Sequence, residues 1–153
     1  MDSDSDILAR LDRLEDESAI AAAARRIGWL IDHGTAEELL DCLTSDAVIE
    51  SRDSVGGETR ASYAGPESLA EYAARVTAQN SRPKAHIVSV TSISVTGAVG
   101  SAESYYVRLS SPRGEPQLAA YGRYFDEFVR SDAATWRLRR RVAVKDVALA
   151  TYK

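Results

Sequence analysis

The sequence predicts an α+β domain in which three N-terminal helices pack on a curved, mostly antiparallel sheet. Apolar residues recur at helical spacing in the first half of the chain, whereas from Lys84 onward they alternate with polar residues at the period of a strand. Helices followed by long consecutive strands with short connections are typical of a helical layer on an antiparallel meander. The 153 residues suffice for one core, so we expect a single domain over residues 1–153.

The opening third of the chain is predicted to be helical. The apolar positions that recur at helical spacing there are Ile7, Leu8, Leu11, Leu14, Ile20, Ala23, Ala24, Ile27, Leu30 and Ile31. Four consecutive alanines at 21–24 strengthen the prediction because alanine is the best helix former. Gly34 suits the position after the helix end. The acidic residues 1–6 are expected to be disordered.

Two further helices are predicted before the strands begin. Thr35 and Glu38 have the spacing of a capping box, which indicates a short second helix. A short strand over 47–50 and a polar, glycine-bearing loop over 51–64 follow. Pro66 then opens a third helix, since proline is tolerated in a first helical turn.

Four long strands make up the second half of the prediction. They are expected over 85–96, 99–110, 118–130 and 135–148, with turns at Gly97, 111–114 and 131–134. Strands of this length twist and coil. In the last strand, strict alternation predicts one face with Trp136, Leu138, Arg140, Val142 and Val144, and an opposite face with Arg137, Arg139 and Arg141.

Composition and motifs exclude several classes of protein. The net charge of −4 argues against general nucleic-acid binding. Cys42 is the only cysteine, which fits a reducing cytoplasm and a buried small side chain. There is neither a secretory leader nor an apolar run long enough for a membrane. No phosphate loop, nucleophile elbow or Cys/His cluster occurs, and two distant histidines make a poor metal site, so we expect no metal and no cofactor.

Two histidines and one aspartate are the strongest candidates for chemistry. His33 is expected to act as a cation at a helix C-terminus, which is a structural role. His86 opens a predicted strand in an apolar stretch, where a lone histidine is more often structural. Asp32 opposes the helix dipole at its position, which hints at function, although a solvated acid is the alternative. If Asp32 met His86, it would fix the ring tautomer and stabilise the imidazolium.

Several other side chains are candidates for contacting a substrate. Arg141 enters the most apolar part of the last strand and is the one arginine expected inside a pocket. Most of the others are expected to pair with acids of the neighbouring strand, such as Asp126 and Glu127. The candidate substrate contacts are Trp29, Glu103, Tyr105, Tyr106 and Tyr121. For each tyrosine, core packing is the alternative.

In the order and spacing of these features, the chain resembles the SnoaL-like branch of the NTF2-like superfamily over about Glu15 to Val147. The resemblance is carried by the alanine-rich helix that ends in Asp32, the short second helix, the stretch Thr44 to Glu50, the Gly65-Pro66-Glu67 helix start, His86, and Trp136 with a final arginine. It implies a cone that encloses a mostly apolar cavity. Within that superfamily the chain is similar to the subgroup of scytalone dehydratase, hexachlorocyclohexane dehydrochlorinase and bile-acid dehydratase, in which an aspartate and a histidine fall on Asp32 and His86 and a pocket arginine falls on Arg141.

The resemblance implies a cofactor-independent lyase or isomerase of the dehydratase or cyclase type. Its partner would be a small polycyclic, polyketide-like or terpenoid molecule, and the protein would form a homodimer or a larger homo-oligomer. The chain departs from some dehydratases of the subgroup, because Ile27 stands where they place a tyrosine or lysine. Two alternatives stay open: a polyketide cyclase that uses acid catalysis, and a non-catalytic ligand-binding or assembly module.

Overall fold

The structure, a computed structural model, describes residues 3–78, 83–111, 113–131 and 135–148. Within these ranges it contains three helices and six strands. They are α1 (Asp4–His33), α2 (Ala36–Asp41), β1 (Leu43–Arg52), β2 (Thr59–Ala64), α3 (Pro66–Thr77), β3 (Lys84–Thr96), β4 (Val99–Ser110), β5 (Gln117–Arg130) and β6 (Trp136–Ala148). Helices packed on one curved sheet confirm the predicted α+β class.

The strands form one sheet in the order β2-β1-β6-β5-β4-β3. Neighbouring strands are antiparallel except β1 and β6, which run parallel. The helices lie on one side of the sheet, here called the inner face. The core fills the space between them, and its most buried side chains are Ile20, Ala24, Ile27, Leu30, Leu39, Leu69, Ala73, Phe128 and Leu138.

The predicted helix boundaries at Gly34 and Thr35 are confirmed. The backbone N–H of Gly34 donates to the Leu30 carbonyl at 2.8 Å, which closes α1. The Thr35 hydroxyl accepts from the Glu38 backbone N–H at 3.2 Å, and the Glu38 carboxylate accepts from the Thr35 backbone N–H at 2.9 Å. The capping box therefore forms as the sequence indicates.

The start of α1 differs from the prediction. The helix begins at Asp4, where disorder was expected through residue 6, and Ser3 is its N-cap. The Ser3 hydroxyl accepts from the Asp6 backbone N–H at 3.4 Å, and acidic residues in the first turn favour the helix dipole. Residues 1 and 2 lie outside the described ranges, as do Pro112 and residues 132–134 of two predicted turns.

The predicted loop over 51–64 is partly wrong, because Thr59–Ala64 forms the edge strand β2 and β1 extends to Arg52. β2 is short and rich in small and polar residues, so its strand pattern is weak in the sequence. Its pairing with β1 and the packing of Tyr63 against Tyr72, with ring centroids 5.2 Å apart, hold it in place.

The predicted alternation in β6 is also wrong, and the cause is a β-bulge. Glu127 pairs with Arg140 whereas the next residue, Phe128, pairs with Leu138, so β6 carries one extra residue there. The bulge brings Arg141 to the same inner face as Leu138. The expected pairing of the arginines with acids of neighbouring strands is confirmed, since Arg139 contacts Glu127 at 2.8 Å.

Candidate functional site

Asp32 and His86 meet where the end of α1 crosses the start of β3. The His86 ring nitrogen Nδ1 lies 2.6 Å from Asp32 Oδ1, and the His86 backbone N–H donates to Asp32 Oδ2 at 2.5 Å. Both carboxylate oxygens therefore face one residue. Because the carboxylate accepts from the ring, Nδ1 carries the proton and Nε2 keeps its lone pair.

Gly28 explains how α1 comes close enough for this contact. It lies one helical turn before Asp32, so the two residues share the face of α1 that packs on β3. A Cβ at position 28 would lie 3.0 Å from Val88 Cγ2 and 3.8 Å from the His86 Cβ. The sequence pattern predicts no role for Gly28, and the only signal in it is the position of this glycine four residues before Asp32.

The environment keeps His86 neutral. Its side chain is 12% exposed and that of Asp32 is 4% exposed. Burial lowers the pKa of His86 below its ordinary value, the hydrogen bond and the charge of Asp32 oppose that shift, and Arg108 and Lys84 add to the lowering. At neutral pH the ring is therefore an uncharged base held in one tautomer.

Two stacked tyrosines and Arg141 form an inner wall next to the pair. Tyr106 lies directly across from Val88, which is two residues beyond His86 on the same face of β3. The rings of Tyr106 and Tyr124 stack with centroids 4.4 Å apart, and the Arg141 Cζ lies 3.9 Å from the Tyr124 ring centroid. Burial raises the pKa of both tyrosines, so their hydroxyls stay protonated and can donate.

The sequence predicts Arg141 inside a pocket; in the structure Arg141 is buried, and its guanidinium is already engaged. It forms two hydrogen bonds of 2.7 Å with the two carboxylate oxygens of Asp126. The side chains of the two residues are 1% and 0% exposed. This bidentate pair neutralises the arginine within the sheet and orients it along the inner wall.

Ser104 is a polar group that the sequence analysis missed. It is 2% exposed and lies on the inner face between Val90 and Tyr124. Its hydroxyl oxygen has no hydrogen-bond partner among the described residues. A serine at an inward position of an otherwise apolar strand face was the available signal.

The other residues that were predicted to contact a substrate do not lie beside the Asp32–His86 pair. Side chains alternate between the two faces of a strand, and the inner face holds Ser104, Tyr106 and Gly122. The outer face therefore holds their neighbours Glu103, Tyr105 and Tyr121. Trp29 is 57% exposed, and its ring centroid lies 4.3 Å from that of His33. It follows Gly28 directly, so it points about 100° away from β3.

Neither of two surface cavities that the described residues form is lined by Asp32 or His86. The larger, of about 460 Å³, is lined by Ala64, Gly65, Pro66, Glu67, Ser68 and Glu71. The smaller, of about 170 Å³, is lined by Arg52, Val55, Gly56, Phe125, Val142 and Val144. Among the residues that the structure describes, no three His, Cys, Asp or Glu side chains lie close enough together to hold a metal ion. None of the described helices is long and apolar enough to cross a membrane.

Comparison with known proteins gives one family match and many structural ones. Residues 12–142 match the model of the SnoaL-like domain. No curated protein matches the chain. An NTF2-like protein with a cystatin-like fold from Novosphingobium aromaticivorans is 25% identical over 98% of this chain and 94% of its own, with a TM-score of 0.79.

Two more distant structures share the fold. ActVI-ORFA from Streptomyces coelicolor is 14% identical, with a TM-score of 0.69 over 85% of this chain and 96% of its own. A protein of Novosphingobium aromaticivorans that is provisionally named a scytalone dehydratase is also 14% identical, with a TM-score of 0.70 over 92% of this chain and 91% of its own.

Proposed function

We propose that this chain, which belongs to the SnoaL-like domain family, is a cofactor-independent lyase or isomerase whose general base is His86. The observation that carries the proposal is the hydrogen bond between His86 Nδ1 and Asp32 Oδ1, 2.6 Å long, around a neutral ring. The proposed substrate is a small polycyclic, polyketide-like or terpenoid molecule with an acidic C–H bond. The solved structure named for a scytalone dehydratase supports the reaction class by its shared fold.

The proposed reaction begins with proton transfer from carbon to His86 Nε2. The C–H bond breaks, its electron pair moves towards a neighbouring carbonyl, and Asp32 stabilises the imidazolium that forms. In an elimination, the C–O bond at the next carbon then breaks, and the imidazolium returns the proton to the departing hydroxide, which leaves as water. In an isomerisation, the proton returns to another carbon of the same substrate.

Negative charge that develops on the substrate oxygen needs a hydrogen-bond donor to stabilise it. The sequence assigns this role to Arg141 or a tyrosine, and the contacts favour Tyr106. Arg141 is committed to Asp126, whereas Tyr106 lies beside Val88 and so close to His86. We propose that Tyr106 donates to the oxygen and that Arg141, held over the ring of Tyr124 by its pairing with Asp126, keeps Tyr124 in its stack with Tyr106.

The test is deuterium uptake at carbons next to the carbonyl group of fused bicyclic and tricyclic ketones, such as β-tetralone, together with loss of water from their β-hydroxy derivatives. The wild-type chain should accelerate at least one of these reactions. His86→Ala should return the rate to that of buffer, while His33→Ala is the matched control and should keep full activity. Unchanged turnover in His86→Ala would sink the proposal, and loss only in an Asp32 variant would favour an acid-driven cyclase.

A non-catalytic ligand-binding or assembly module is the second candidate. One observation favours it: the inner wall beside the Asp32–His86 pair is packed, with the rings of Tyr106 and Tyr124 stacked on each other. In that case the pair is a satisfied structural contact. Absence of turnover with every ketone, together with unchanged ligand binding in His86→Ala, would select this candidate.

A further inference from the structure

The outer face of the sheet carries the smaller of the two cavities described above, between β1, β5, β6 and the turn that joins β1 to β2. Its volume is about 170 Å³, and its lining residues are Arg52, Val55, Gly56, Phe125, Val142 and Val144. Side chains alternate along a strand, so Val142 and Val144 point away from the inner-face residue Arg141. The cavity therefore lies on the opposite side of the sheet from the Asp32–His86 pair.

Two rows of side chains across paired strands form the floor of the cavity. In one row Phe125 of β5 pairs with Val142 of β6. In the next row Val144 of β6 pairs with Arg52 of β1. Val144 is fully buried, although it lies on the outer face and not in the core between helices and sheet. This part of the outer face is therefore covered by the chain itself.

The turn over residues 53–58 closes one side of the cavity with Val55 and Gly56. The Gly57 backbone N–H donates to the Ser54 carbonyl at 3.1 Å. Gly56 has a φ of 71°, a left-handed conformation that glycine adopts without strain. The turn thus has a defined shape, and the cavity is built into the hairpin of β1 and β2.

Arg52 is the charged side chain among the lining residues, and much of its hydrogen-bonding capacity is unused. A guanidinium has five N–H donors. Among the described residues, Arg52 makes one side-chain hydrogen bond, of 3.3 Å from Nη2 to Glu50 Oε1, and its Nε is buried without a partner. Glu50 is shared, because its other oxygen accepts from Arg140 at 2.8 Å. The cavity therefore combines apolar walls with a cation that can donate further hydrogen bonds.

We propose that this cavity binds a small aromatic carboxylate, with the ring against Phe125 and Val142 and the carboxylate on the guanidinium of Arg52. The volume fits, since an apolar cavity of about 150 Å³ in another protein takes up benzene. Carboxylate oxygens match the planar fork of a guanidinium and would accept hydrogen bonds that Arg52 does not make within the described chain. A neutral ligand of the same size would leave those donors unpaired. The site is independent of the proposed reaction at His86.

Benzoate is the probe, and nuclear magnetic resonance of the backbone amides of the full chain measures its binding. Saturable shifts should concentrate at the lining residues, with a dissociation constant on the order of 1 mM for so small a ligand. Benzyl alcohol, which keeps the ring without the carboxylate, should bind at least about tenfold more weakly. Absence of saturable shifts, shifts confined to His86 and its neighbours, or equal binding of the alcohol would overturn the proposal.

Two arginine variants separate recognition of the carboxylate from the stability of the hairpin. Arg52→Met removes the cation and its donors and should weaken benzoate binding about tenfold or more. Arg60→Met is the matched control, because Arg60 belongs to the same hairpin and pairs with Asp53 but does not line the cavity. Its affinity for benzoate should equal that of the wild type.

Val142→Phe fills the cavity while Arg52 remains, so it should abolish benzoate binding. Circular dichroism checks that each variant stays folded. Wild-type affinity in Arg52→Met, or in a folded Val142→Phe variant, would overturn the proposal.

Discussion

Asp32 presents both of its carboxylate oxygens to His86, a residue 54 positions later in the chain, and receives the backbone N–H at one oxygen and ring Nδ1 at the other. The backbone bond fixes the carboxylate in place, and the ring bond fixes the tautomer. One residue thus determines both the position and the protonation of the proposed base, which makes the pair sensitive to a single-atom change.

Asp32→Asn should inactivate the proposed enzyme while keeping its shape. Asparagine has one acceptor oxygen, so if that oxygen keeps the backbone N–H of His86, its NH₂ group faces Nδ1. Nδ1 must then accept, the proton moves to Nε2, and the base is lost. By analogy with the aspartate of a Ser-His-Asp triad, we expect a loss in kcat of about four orders of magnitude.

The measurement is the rate of the proton-transfer reaction in the wild type and in Asp32→Asn. Asp41→Asn, at the end of the short helix α2, is the matched control and should keep the wild-type rate. Equal rates in the wild type and Asp32→Asn would mean that the tautomer of His86 does not matter for the reaction.

The pH dependence of activity and stability should report the lowered pKa of His86. The base works only when neutral, so kcat/KM should fall on the acid side with a midpoint below 6.5, the ordinary value. The folded state binds fewer protons than the unfolded state in that window. The contribution of His86 to the free energy of unfolding is therefore fully present above pH 6.5 and is lost as the pH falls through the folded pKa.

Nuclear magnetic resonance of the ring protons measures this titration directly, and His33→Gln assigns the two histidine signals. Denaturant unfolding of the wild type and His86→Gln across the same pH range measures the stability difference. A folded-state midpoint above 6.5 would show that the charge of Asp32 outweighs burial.

Gly28→Ala should weaken the site without unfolding the protein. The new methyl group would lie 3.0 Å from Val88 Cγ2, so α1 or Val88 must move and Asp32 shifts away from His86. A misplacement of this kind costs on the order of tenfold to a hundredfold in rate. Stability should change little, because alanine in a helix is favoured over glycine by about 1 kcal/mol.

The double variant Gly28→Ala with Val88→Ala is the matched control for this prediction. It removes the methyl group that the new Cβ meets, so activity should recover towards the wild type. Failure of the second substitution to restore activity would show that Gly28 matters for another reason than the approach of α1 to β3.

Features that depend on residues close together in the chain were predictable from the sequence, whereas features that depend on contacts between distant segments were not. The capping box at Thr35 depends on residues three apart, so the sequence contains all of it. The inward position of Arg141 depends on a bulge against β5, and the Asp32–His86 contact depends on the approach at Gly28. Both features are set by pairing between distant segments of the chain, and the spacing of apolar residues along one strand or helix does not predict such pairing.

Arg141 and Asp126 should stabilise the fold only as a pair. Their two hydrogen bonds of 2.7 Å are buried, and both side chains are almost fully inaccessible. Arg141→Met leaves the Asp126 carboxylate buried without its cation, which should cost about 3–5 kcal/mol in the free energy of unfolding. Arg141→Met combined with Asp126→Leu removes both charges and should recover most of that loss, since apolar replacement of a buried ion pair is often nearly neutral. Denaturant unfolding of the wild type, both single variants and the double variant gives the coupling energy, and additive losses would show that the two residues act independently.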